Sequence, residues 1–302
     1  MKILVTGSNG LLGQKILAQG ISEPQLEMIG CSQGVDRIES IAGYAYHELD
    51  ISDRSAVLDI IERIRPNVVI NTAAMTNVDA CESDKERCWQ VNVDAVAHLI
   101  EACKSVNARL IHLSTDFVFN GEEGPYIETD EPDPLSYYGK SKLASEELLI
   151  NSDLENWAIA RTIIVYGTAD NMSRTNVVLW AKGALEKGEK IRVVDDQFRS
   201  PTLAEDLAEG CLLIAMKKAK GIFHISGKDT MSILELVHRV ADHFGTDKSI
   251  VEPIKTASLG QEAARPPRTG FILDKAQKEL GYFPHSFEEG LTILNMQLKA
   301  IS

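Results

Sequence analysis

Cysteine is scarce in this 302-residue chain. Its five residues (Cys31, Cys81, Cys88, Cys103, Cys211) are odd in number and contain no C-x-x-C pair. A disulfide scaffold is excluded, and the thiols read as reduced core residues. The seven histidines are dispersed without metal-ligand spacing, so no metal site is expected. No apolar run reaches the roughly 18 residues that span a bilayer. The segment Met1–Val5 is too short for a signal peptide, and a cytoplasmic location is expected, with no membrane partner. Positive charge is in deficit, with 31 Lys and Arg against 44 Asp and Glu, a net charge of -13. A nucleic-acid partner needs clustered cations and is not expected. An anionic small molecule remains compatible, because a few local donors suffice within a negative field. Internal repeats, low-complexity tracts and flexible linkers are also absent.

What is present is an ordinary globular composition, 44% hydrophobic and 25% charged. The length suggests about two domains. Short apolar runs alternate with amphipathic ones. Strands are predicted at 2–6, 26–31, 68–71, 110–114 and 157–161. Helices are predicted at 11–19, 53–64, 86–106 and 141–150. This rhythm predicts an α/β fold, a Rossmann-type doubly wound parallel sheet. After about Gly167 the rhythm breaks. Helices at 176–186, 203–216, 233–244 and 287–299 mix with strands at 190–194 and 221–226. A smaller α+β C-terminal substrate domain is expected. The dinucleotide-binding part takes 1–166 and 196–218, and the smaller part 167–195 and 219–302.

Gly7, Gly10 and Gly13 form G-x-x-G-x-x-G between the first strand and the first helix. Gly7 permits a turn that strains other residues, Gly10 lets a pyrophosphate approach, and Gly13 lets helix and sheet pack closely. The helix N-terminus then offers N–H groups and partial positive charge to phosphates. The second strand ends at Cys31-Ser32-Gln33-Gly34, without the acid that would hold the 2′-hydroxyl of NAD. Ser32 therefore leaves room for a 2′-phosphate, favouring NADP(H), with NAD(H) the alternative. Asp50 and Ile51 are placed to meet the adenine edge, and Asp50 is also a candidate helix cap.

Tyr138 and Lys142 are spaced i, i+4, on one face of a helix. A phenol can donate a proton to a carbonyl oxygen, and a nearby ammonium lowers its pKa. Lys142 can also bond the nicotinamide ribose. The fourth strand ends in Ser114-Thr115-Asp116, where parallel sheets bind ligands. Thr115 is the candidate to hold a substrate carbonyl beside Tyr138.

These residues resemble the extended short-chain dehydrogenase/reductase family along nearly the whole chain. The resemblance runs in serial order through Asn71–Glu82, Ser114–Gly121, Tyr138–Leu143, Arg161-Thr162 with Val165–Gly167, Asp196–Phe198 with Pro201-Thr202, Ala264–Pro266 and Glu288–Leu291. It implies NAD(P)H-dependent reduction of the C4 keto group of a nucleotide-activated 4-keto-6-deoxysugar. Thr115, Tyr138 and Lys142 are implied as the catalytic set. Asn9, Leu11, Ala73, Ala74, Thr76 and Asn92 are implied on the cofactor side. Thr76, Val78, Phe117, Asn176, Gln197 and Arg265 are implied on the side of the nucleotide-sugar partner. A homodimer is compatible with the resemblance.

The pattern is broken at the substrate side. Ile163-Ile164 stand where the family often has Ser-Trp, Arg199 where it usually has Gly, and Ser173–Asn176 where it has Asn-Asn-Phe. Arg174 and Arg199 are thereby candidates to meet a phosphate or carboxylate. A 4,6-dehydratase resembles a Thr-Asp-Glu set, but Phe117 follows Asp116 here. Two alternatives stay open: a nucleotide-sugar 4-epimerase, and a non-catalytic NADP-binding subunit similar to the beta subunit of methionine adenosyltransferase.

Overall fold

In β1 (Lys2–Thr6) Ile3 and Val5 join one apolar cluster and Leu4 joins another, all fully buried. A strand dry on both faces must lie inside a sheet covered on both sides. The computed structural model, which describes residues 1–260 and 262–301, shows this sheet. It contains β1, β2 (Glu27–Ser32), β3 (Ala45–Glu48), β4 (Val68–Asn71), β5 (Arg109–Thr115), β6 (Trp157–Thr162) and the strand Gly221–His224. All seven are parallel, and β1 to β6 follow the order 3-2-1-4-5-6 of dinucleotide-binding folds. Chain order reverses between β1 and β4.

Helix α1 (Leu11–Ile21) and the helix Ala204–Lys217 cover one face, through Ile16, Leu17, Leu207 and Cys211. The other face is covered by α2 (Arg54–Ile64), whose Val57, Ile60, Ile61 and Ile64 form an apolar stripe at helical spacing. Beyond β4 come the short helices α3 (Val78–Ser83) and α4 (Lys85–Trp89). A π turn, Gln90–Asp94, then leads into α5 (Ala95–Val106). The single helix expected over 86–106 is thus interrupted by one wide turn, a feature that often marks functional positions. Helix α6 (Tyr137–Ile150) starts four residues before the expected 141, because the Ser136 hydroxyl accepts from the Gly139 N–H and caps it.

The remaining residues build a second core from Tyr166, Val178, Leu185, Leu236, Val240, Phe287 and Leu291. There the strands Ile191–Val194 and Val251–Ile254 pair in parallel, and three helices pack around them. One expectation changes. Gly221–His224, expected in the smaller part, is an edge strand of the central sheet beside β6. Its apolar Phe223 is fully buried in the core under that sheet.

Gly13 is where α1 touches β1's exit. A Cβ there would lie 2.5 Å from the Gly7 carbonyl oxygen and 2.6 Å from Ser8 Cα. Neither backbone atom can swing aside. Gly13→Ala should cost about 1–3 kcal/mol of stability, read as a lowered urea midpoint with the slope unchanged. A midpoint equal to wild type would show that the helix can shift freely at this position.

Candidate active site

All seven strands point their carboxyl ends to one edge of the sheet, and a cleft of about 670 Å³ opens there. It lies where the chain order reverses, the place where such sheets bind ligands. Asn9, Gly10, Leu11, Gly13, Ala74, Thr76, Val78, Thr115, Phe117, Tyr138 and Lys142 all line it. Eleven residues expected from four separate sequence segments are thus brought together.

The glycine turn builds the first wall. Gly7 has φ +69°, and a Cβ on it would press to 2.8 Å from the Ala73 backbone nitrogen. Gly10 is the N-cap of α1, and no side chain caps that helix end. Its first-turn donors are available to an anion, which fits a dinucleotide pyrophosphate. Asn9 donates to the Val35 carbonyl (3.0 Å) and accepts from the Arg37 N–H (3.0 Å), pinning the segment after β2. Ser32 closes β2. Asp50 lies at the end of the neighbouring strand, where it accepts from Gln33 Nε2 (2.5 Å) and from the Ser52 N–H and hydroxyl. The carboxylate thus brackets its own turn. The helix cap of α2 is Asp53, whose side chain accepts from the Ala56 N–H. Ile51 is buried below.

Asn92 sits in the π turn, behind the cleft. Its amide accepts from the Met75 N–H (2.8 Å) and donates to the Met75 carbonyl (3.0 Å) and Ser141 Oγ (3.0 Å). It therefore fixes the Ala73–Thr76 segment from behind. Glu82 accepts from the Tyr137 N–H (2.6 Å), tying α3 to the first turn of α6.

Tyr138 and Lys142 project from α6 and are buried. Thr115 lies within hydrogen-bonding reach of the phenol, and Phe117 packs edge-on to its ring at 5.8 Å. Burial pushes the Tyr138 phenol well above its ordinary value, the Thr115 hydrogen bond opposes this, and Asp116 adds to it. The expected lowering by Lys142 does not prevail. Desolvation disfavours the phenolate more than the neighbouring groups favour it. The consequence suits an acid: at neutral pH the phenol keeps its proton. Burial brings the Lys142 ammonium down to about 8, partly offset by Glu146 and Cys88. Below that pH it carries its charge.

The substrate-side expectations divide. Thr76, Val78 and Phe117 line the cleft, while Asn176, Gln197 and Arg265 do not and are engaged by other residues. Asn176 caps the helix Val177–Glu186 through Leu179 N–H and donates to the Gly167 carbonyl (2.8 Å). Gln197 donates to Thr256 Oγ1 (3.0 Å). Arg265 makes a two-pronged pair with Asp79, at 3.1 and 2.7 Å. Arg199 is not open to a ligand. It is buried against Asp116 (Nε to Oδ2, 3.6 Å), and donates to the Pro266 and Phe198 carbonyls, each at 2.7 Å. A guanidinium there would be costly without these acceptors, and its burial keeps it out of the cleft.

Arg174 does line the cleft, donating to Thr76 Oγ1 (3.1 Å), with Met172 and Ser173 beside it. Ile164, in place of the family's Trp, forms an apolar wall at φ +26°, a value that a β-branched residue rarely takes. One buried group was not foreseen: His112 on β5, whose Nε2 lies 3.1 Å from Lys142 Nζ.

This combination of a reversed parallel sheet, a glycine turn at a helix start and a Thr-Tyr-Lys set defines a nicotinamide-dependent oxidoreductase of the Rossmann type. The chain belongs to the RmlD substrate binding domain family, whose model matches residues 1–299. It is 31% identical over 302 residues to a dTDP-4-dehydrorhamnose reductase of Aggregatibacter actinomycetemcomitans, covering 96% of this chain and 97% of that one. It is also 31% identical over 258 residues to the methionine adenosyltransferase 2 subunit beta of Bos taurus, covering 84% and 75%. A dTDP-4-dehydrorhamnose reductase of Clostridium acetobutylicum superposes with a TM-score of 0.85 at 30% identity, covering 99% and 100%. One from Bacillus anthracis, in complex with NADP, gives 0.81 at 27% identity, covering 98% and 99%. Among the described residues, no helix is long and apolar enough to cross a membrane.

Proposed function

We propose that the protein reduces the C4 keto group of a nucleotide-activated 4-keto-6-deoxysugar with NADPH, and that the sugar is dTDP-4-dehydro-L-rhamnose, giving dTDP-L-rhamnose. The observation that carries this reading is the meeting of Thr115, Tyr138 and Lys142 in one cleft beside the uncapped α1 N-terminus. The reductases named above, alike over nearly the whole chain, support the sugar class. The cofactor, when bound, supplies the hydride. The chain supplies position and protons. Gly7, Gly10 and Gly13 shape the pyrophosphate cradle, and Ser32 leaves space for a 2′-phosphate. Tyr138 holds its proton on the phenol oxygen until a substrate carbonyl oxygen takes it. Thr115 orients that oxygen. Lys142 offers its ammonium to the ribose and to the developing charge at Tyr138. Arg174 gives the cleft a guanidinium suited to a diphosphate.

The test is consumption of NADPH by the purified protein with dTDP-4-dehydro-L-rhamnose, run beside NADH. Turnover that is faster with NADPH supports the reading. NAD retained tightly through purification, with interconversion of C4 epimers, would instead support an epimerase. Cofactor binding without turnover, together with a stoichiometric partner enzyme, would move the reading to a regulatory subunit, which the likeness to the methionine adenosyltransferase subunit favours.

A further inference from the structure

We propose that His112 is the positioning residue for Lys142: its imidazole accepts a hydrogen bond from the ammonium and is itself fixed by a row of polar side chains crossing three strands. The proposal deepens the role given to Lys142 above and rests on that reading.

The row is a product of sheet register. Thr6 lies opposite Asn71, and Asn71 lies opposite His112. Thr6 Oγ1 is 2.6 Å from Asn71 Oδ1, and the Asn71 amide nitrogen is 3.1 Å from His112 Nδ1. His112 Nε2 then meets Lys142 Nζ at 3.1 Å and Ser145 Oγ at 3.0 Å. None of the five side chains is open to solvent. A buried polar row of this kind holds only if each member is paired, and here each is.

Burial and the Lys142 charge hold the imidazole well below its ordinary pKa, so it is neutral. A neutral imidazole has one N–H and one lone pair, and an ammonium has donors only. The nitrogen facing charged Lys142 must therefore present its lone pair, which puts the proton on Nδ1. Turning the Asn71 amide by half a turn lets its oxygen accept that proton while its nitrogen donates to Thr6. The Ser145 hydroxyl donates to the Lys142 carbonyl (2.7 Å), so it sends no proton to that lone pair; its oxygen, 3.0 Å from Nε2, is served only by the other tautomer, which would turn an N–H towards the ammonium. One ammonium proton goes to His112, and two remain for the cleft.

The other groups bearing on Lys142 are Glu146, one turn further along α6, and Cys88 on α4. Both favour the charged form, and burial opposes them. A neutral acceptor at 3.1 Å adds to the favourable side. Without it the ammonium must lose its proton more easily.

The experiment titrates Lys142 directly, by NMR of full-length, cofactor-free protein isotope-labelled at lysine Cε, the signal assigned with Lys142→Met. In His112→Leu the midpoint is expected to fall by about one pH unit. In His112→Gln, whose amide oxygen restores an acceptor, it should return close to wild type. Equal midpoints in wild type and His112→Leu, or a His112→Gln midpoint as low as that of His112→Leu, would overturn the proposal. Should His112→Leu fail to fold, His112→Met serves in the same comparison. NADPH affinity is measured on the same samples. Wild type that fails to bind NADPH, with the midpoints moving as expected, would sink the cofactor reading and leave the His112 assignment standing.

Discussion

Tyr138→Phe is expected to lower kcat by roughly 10²–10⁴-fold, the usual worth of a positioned general acid. The dissociation constant for NADPH should hardly change. The substitution removes one oxygen from a ring held by Phe117, and that edge-on packing survives it. Thr115 and Lys142 keep their places, so a carbonyl can still bind, but nothing delivers its proton. Steady-state rates beside a fluorescence titration of NADPH separate the two effects, and unchanged turnover would remove Tyr138 from the mechanism. The pH profile gives an independent check. Burial holds the phenol protonated, so its ionisation does not shape the curve near neutrality. Lys142 is charged below about 8 and neutral above it. The wild-type rate should therefore fall as pH rises through about 8, not through the ordinary lysine range above 10.

The parts of the site that could be read from the sequence are those carried by local spacing. Gly7, Gly10 and Gly13 signal a turn because backbone geometry demands glycine there. Tyr138 and Lys142 signal a shared face because a helix repeats every 3.6 residues. The parallel sheet was legible because strands such as Ile3–Val5 and Val68–Ile70 are apolar on both faces. His112 was not legible for the opposite reason. It stands inside the apolar run Leu110–Leu113, and Thr6 and Asn71 each look like isolated polar ends of their strands. Only the lateral register of β1, β4 and β5 puts the three in line. The burial of Arg199 was hidden in the same way. Its acceptors are a carboxylate on another strand end and carbonyls of Pro266 and Pro267, which no spacing rule connects to it. The edge position of Gly221–His224 also follows from pairing rather than composition. Its four residues offer too little pattern to say which sheet they join.

Glu146→Gln is expected to destabilise the protein by about 3–5 kcal/mol, the usual penalty for stranding one member of a buried ion pair. Glu146 and Arg161 are both buried, and the guanidinium meets the carboxylate at 2.9 Å through Nε and 2.6 Å through Nη2. Phe119 lies under the guanidinium at 5.1 Å, and Nη1 has no hydrogen-bond partner among the described residues. Arg161 therefore has no other carboxylate to turn to when Glu146 loses its charge. The pair still does not have to be a net gain over an apolar core, because both ions were taken out of water to make it. Replacing both, as Glu146→Leu with Arg161→Met, should cost clearly less than Glu146→Gln alone. Urea unfolding of the two variants measures the difference. A single-variant loss below about 1 kcal/mol would mean that water reaches Arg161 after all. Glu146 also faces Lys142 and supports its charge, so the two consequences are linked. In any Glu146→Gln protein that folds, the high-pH limb of NADPH-dependent turnover should move below pH 8, in the same direction as for His112→Leu. Joining the two cycles would show whether the carboxylate and the imidazole act on the ammonium independently. Additive shifts are expected if they do, because Glu146 acts on it through space and His112 through a direct hydrogen bond.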